Sequence, residues 1–179
     1  MWMWSDIEKL HKLIKSVQKW LEFQSKAEDI PEKALEIGFV RATKNAIKIV
    51  KELGLEGDET RAFIQSWVEI GIFAGFIAGW RNSKQILTNG GLPTLAAVLD
   101  DSYVINQADF YAKKFASETA EGLFSKLLDP PVSPLLDGLE EKQIELLKIS
   151  HESSLYAGFL DGVEQSYRSK DKTNSLFGF

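Results

Sequence analysis

Small residues recur at every fourth position along each long apolar segment of this chain. They are Ala34, Gly38, Ala42 and Ala46; Gly71, Gly75 and Gly79; Ala108, Ala112, Ala116 and Ala120; and Ser150, Ser154, Gly158, Gly162 and Ser166. Positions four apart share one face of an α-helix, so each segment carries a strip where a second backbone can approach closely. Glycine in a helix interior costs about 1 kcal/mol relative to alanine. Five glycines in two helices therefore demand close helix packing in return, and Gly38, Gly71, Gly75, Gly79, Gly158 and Gly162 are the expected packing positions.

The remaining periodicity is helical as well. Met3, Ile7, Leu10, Ile14, Val17 and Leu21 form one apolar stripe over about 5–27, with Lys9, Lys12, Lys15, Lys19 and Lys26 on the other faces. Asp29, Pro31 and Glu32 signal the start of a second helix, and Gly54 its end. A third helix is expected from Asp58 to about Leu87, a fourth over 103–128 and a last over 139–169. The run Asp129-Pro-Pro-Val-Ser-Pro134 separates the last two, because proline inside a helix removes a donor and clashes with the preceding turn. No segment alternates with a period of two, so the fold class is all-α.

Two parts of the chain match each other. Gly54-Leu-Glu56 and Gly138-Leu-Glu140 each open a helix. Ala74-Gly-Phe-Ile-Ala-Gly79 and Ala157-Gly-Phe-Leu-Asp-Gly162 each follow a glutamate, Glu69 and Glu152, by five residues. Ala34, Glu36 and Lys44 align more weakly with Ala116, Glu118 and Lys126. The expectation is a single-domain pseudo-twofold bundle made of a duplicated helical hairpin. Its parts are an N-terminal amphipathic helix (1–28), a first hairpin (29–88), a linker with a short helix (89–102), a second hairpin (103–171) and a tail (172–179).

Several function classes fall away on composition. The chain has no cysteine, which excludes thiolate metal sites, disulfides and a cysteine nucleophile. A net charge of −5 argues against nucleic-acid binding through a basic face. Residues 1–53 carry net +2 and residues 54–179 net −7, which reads first as a solvated mixed surface and second as a basis for head-to-tail contacts between subunits. No G-x-S-x-G elbow or P-loop occurs, and His11 and His151 are the only imidazoles. No cofactor and no metal are expected, since the di-iron pattern needs Glu-x-x-His on two helices, which the chain does not have. Glu69 and Glu152 are instead expected to pair with Lys44 and Lys126, or with Arg41.

The run from Ala62 to Gly79 is nearly long enough to span a bilayer. Glu69 at its middle would cost about 2.5–3.5 kcal/mol there. The matching segment, with His151, Glu152, Asp161 and Glu164, points to an aqueous setting. A cytoplasmic location is expected, with no signal peptide ahead of the first helix. The leading functional reading is association without chemistry, as a homo-oligomer or a subunit of a protein complex. Phe73, Phe76, Trp80, Phe177 and Phe179 are the expected contact residues, with Trp2 and Trp4 next. A second reading is a metal-dependent hydrolase or ligand-binding bundle using Glu69, Glu118, Glu121 and Glu152, with Glu118-x-x-Glu121 and Asp161-x-x-Glu164 as acidic pairs for Mg²⁺. A third is a membrane-surface protein acting through its first helix.

Overall fold

A computed structural model describes residues 4–52, 54, 57–88, 101–128 and 141–169. Among these residues the fold is all-α, with five helices: α1 (Trp4–Ala27), α2 (Glu32–Glu52), α3 (Asp58–Thr88), α4 (Asp101–Leu128) and α5 (Glu141–Arg168). The short helix expected near Pro93 lies outside the described residues. Asp29 belongs to the turn before α2 rather than to the helix itself, in a left-handed conformation (φ 51°) that a short polar side chain tolerates. The Pro31 carbonyl then accepts the first helical hydrogen bonds, from the amides of Ala34 and Leu35. At the other end Gly54 takes φ +60° just past the last turn of α2, the conformation that lets a chain leave a helix without a Cβ clash.

The centre of the molecule is a pair of parallel helices, α3 and α5, in backbone contact. A Cβ on Gly158 would collide with the Ile72 carbonyl, and one on Gly75 with the Leu155 carbonyl. Likewise a Cβ on Gly162 would strike the Phe76 carbonyl, and one on Gly79 the Phe159 carbonyl. Gly71 faces Ser154, whose Cβ lies 2.6 Å from where its own would stand. One turn beyond, the Ser83 hydroxyl donates to the Ser166 hydroxyl at 2.6 Å. The contacts are reciprocal, since each position on α3 meets the region 83 residues later on α5.

The other helices flank this pair. α2 runs antiparallel to α3, with Gly38 beneath the Phe76 ring at 2.8 Å from a notional Cβ. α4 runs antiparallel to α5, and Phe115 and Phe159 stack with centroids 5.5 Å apart. α1 lies parallel to α3 on its outer side. It is held at one end by His11 edge-on to Phe63, and at the other by Arg81 bonding Glu28 (2.6 Å) and Gln24 (3.1 Å). α3 is thus packed against α5, α2 and α1, which accounts for its being apolar nearly all round. It is the one helix among the described residues long and apolar enough to cross a membrane, and 67% of that apolar window is buried by the rest of the chain.

Phe39, Ala42, Glu69 and Phe73 line one groove, and Lys113, Ala116, Glu152 and Tyr156 line another.

The glycine contacts set a direct test. Gly158→Ala places a methyl group against backbone that cannot rotate away and should cost about 2–4 kcal/mol. Gly122→Ala on α4, where nothing lies within 4 Å, should instead stabilise by about 0.5–1 kcal/mol. Chemical denaturation of the two variants beside the parent checks both signs.

Candidate functional site

Two grooves flank the central pair. The first, a cavity of about 300 Å³, lies between α2 and α3 and is walled by Phe39, Ala42, Glu69, Ile70 and Phe73. α1 closes it with Gln18, Leu21 and Glu22. On its outer lip the chain leaves Phe39 and Val40 about 60% exposed, and the Phe39 ring stands edge-on to Phe73 at 6.2 Å. A neighbouring hollow shares Phe39 and Phe73 and is rimmed by Glu32 and Glu36. The lip is therefore apolar at its centre and acidic at its edge.

The second groove, of about 430 Å³, lies between α4 and α5. Its polar side is a short network. Lys113 donates to Asp109 (2.7 Å), and the Tyr156 hydroxyl donates to the same carboxylate (2.6 Å). The bond from Lys113, and then that from Tyr156, holds Asp109 below the usual carboxylate range. Tyr156 is pushed up to about 12 by burial and by the Asp109 carboxylate.

A third set of polar groups is buried on α5. Arg41 of α2 donates to Asp161 at 2.6 Å, and Arg168 to Glu164 at 2.9 Å. Burial raises the Asp161 pKa, with the Arg41 charge and hydrogen bond opposing it. His151 stacks on Trp67 with centroids 4.8 Å apart, and Trp67 in turn donates its indole N–H to the Leu147 carbonyl at 3.1 Å. Desolvation lowers the His151 pKa to about 4, so the imidazole is neutral at ordinary pH. Its Nδ1 has no hydrogen-bond partner among the described residues.

These positions revise several expectations. His151, Asp161 and Glu164 are buried, so the second glycine segment does not turn its charges to water. Arg41 pairs with Asp161, while Glu69 accepts from Gln65 at 3.1 Å. Lys44 is exposed, and the Lys126 side chain lies outside the described residues. Phe76 is fully buried under Gly38, which removes it from any contact surface, and Phe73 and Trp80 are half-buried. Trp2, Phe177 and Phe179 lie outside the described residues, as does the side chain of Trp4, which opens α1.

The four candidate carboxylates are not brought together. Glu69 and Glu152 stand half-buried in separate grooves, and Glu118 and Glu121 are exposed on α4. The acidic partners proposed for them, Asp161 and Glu164, are committed to arginines. Among the described residues no three His, Asp or Glu side chains cluster as metal ligands. Phe39 and Val40 were not among the expected contact residues, and the structure leaves both exposed. The sequence reading also missed the Arg41–Asp161 pair, for which the available signal was an aspartate at a place where the matching segment has Ala78. Comparison with protein-family models, with curated proteins and with solved structures finds no match to this chain.

Burial of neutral His151 predicts acid sensitivity. The unfolded chain takes up a proton near pH 6.5, whereas the folded one does so only near 4. Stability should therefore fall as pH drops through that window, by about 3 kcal/mol when complete. Asp161, with its raised pKa, works in the opposite direction. Comparing the parent with His151→Gln isolates the imidazole, and the variant's denaturation free energy should change less between pH 6.5 and 4.

Proposed function

We propose that this chain is a duplicated helical hairpin with an added N-terminal helix, acting in the cytoplasm by protein–protein association and without chemistry of its own. The observation that carries the association reading is the exposed apolar lip of the α2–α3 groove. There Phe39 and Val40 stand open beside half-buried Phe73. Large side chains left in water over an adjoining cavity favour an anchor-in-pocket contact with a partner. The surrounding glutamates, Glu22, Glu32, Glu36 and Glu69, favour a partner with basic residues around an apolar anchor.

Support for the duplication comes from the reciprocal contacts of α3 and α5. Small residues at four-residue spacing are, on this reading, the device that lets the two halves meet at their backbones. The buried ion pairs have the character of register-setting contacts between helices rather than of a reaction centre.

Site-specific photocrosslinking tests the association reading. A benzophenone amino acid replacing Phe39 should give one or a few discrete adducts in cells, and the same probe at exposed Lys48 should give none. A diffuse smear from both positions, or no adduct from either, would overturn it.

A further inference from the structure

α1 buries one face and presents another. Ile14 and Leu21 are packed on the bundle, so the apolar stripe read from the sequence is already used within the chain. The outer face carries Trp20 and Phe23, one turn apart and 59% and 67% exposed. Lys12, Lys19 and Lys26 run along that face at intervals of seven residues, all exposed. Seven residues make two helical turns, about 10 Å, so the lysines form a row of about 20 Å beside the two aromatic rings.

The described acidic side chains of this segment leave the row largely uncontested. Glu22 lines the groove toward α2, and Glu28, just beyond the helix, bonds to Arg81. Glu8 pairs with Lys12 at 3.3 Å with both side chains more than half in water, a contact of little strength. The side chain of Asp6 lies outside the described residues. One side of Trp20 borders a cavity of about 150 Å³ with Ala78, Phe115 and Thr119, which seats the indole on the bundle while its outer part meets solvent.

We infer that the outer face of α1 is a peripheral binding surface for an anionic lipid bilayer, with the lysine row on the headgroups and Trp20 and Phe23 entering the interfacial layer. Indole rings favour the headgroup region, and lysines beside an inserted ring reach the lipid phosphates with their ammonium groups. A protein partner would need a groove to receive this convex face, whereas a bilayer yields to it. The helix stays on the bundle, because its apolar stripe is occupied there. Screening within about 10 Å in 0.1 M salt confines the attraction to the nearest charges, so the net charge of −5 over the whole chain does not cancel it. This face is separate from the Phe39 lip, and the inference stands apart from the association reading.

Flotation with lipid vesicles tests this. The parent should float with equimolar phosphatidylcholine–phosphatidylglycerol vesicles and stay behind with phosphatidylcholine alone. Lys12→Gln/Lys19→Gln/Lys26→Gln should weaken binding about a hundredfold, at about fivefold for each charge lost. Trp20→Ser/Phe23→Ser should weaken it about tenfold or more. Phe23→Ser alone keeps Trp20 on its cavity and replaces the double variant if that one melts early, with an expected loss of about fivefold.

A parent that fails to bind the anionic vesicles, or binds phosphatidylcholine equally well, would overturn the inference. So would binding that survives either set of substitutions, which would place the contact elsewhere on the chain. Self-association without vesicles, lost in Phe23→Ser and unaccompanied by flotation of the parent, would overturn it in favour of a second copy.

Discussion

Everything in this bundle depends on two helices touching at their backbones. Where α3 crosses α5, glycine stands wherever a Cβ would meet a carbonyl of the other helix, at Gly75, Gly79, Gly158 and Gly162. The conformational cost of glycine in a helix, about 1 kcal/mol at each place, is offset by dispersion contacts along the whole crossing. Because the contact is backbone to backbone, a Cβ added at any of these four positions would strike the opposite helix. The other helices are then placed by what remains exposed on this pair.

That geometry explains the two least ordinary features of the chain. α3 is apolar around nearly its whole circumference because it is packed on α5, α2 and α1 at once. The buried positions of α5 include charged groups matched by partners, Asp161 with Arg41 and Glu164 with Arg168. Charges at these depths cost much to leave unpaired and contribute little net stability when paired. They hold α2 and the end of α5 in one arrangement. His151 shows the other way to bury such a group, by remaining neutral against Trp67.

Much of this was legible in the residues. The four-residue recurrence of small side chains placed the helices and singled out the glycines, because a repeated energetic cost implies a packing reason. The helix end at Gly54 followed from backbone chemistry alone. The fate of each aromatic side chain was not legible. Phe76 and Phe39 have the same periodic setting, and only the position of Gly38 beneath Phe76 decides that one is enclosed while the other is open. The carboxylates were misjudged for a related reason. Spacing along one helix says nothing about whether an arginine from another arrives beside it.

The parallel, fixed-height alignment of α3 with α5 is the claim on which the rest stands, and the chain's lack of cysteine makes it simple to measure. Ser83 and Ser166 touch through their hydroxyls, so Ser83→Cys/Ser166→Cys should close an intramolecular disulfide under mild oxidation. A Ser83→Cys/Ser150→Cys control should not. Rapid, complete crosslinking of the first pair as a monomer is the predicted result. Failure of that pair to close, or closure of the second, would show that the two helices do not meet as described.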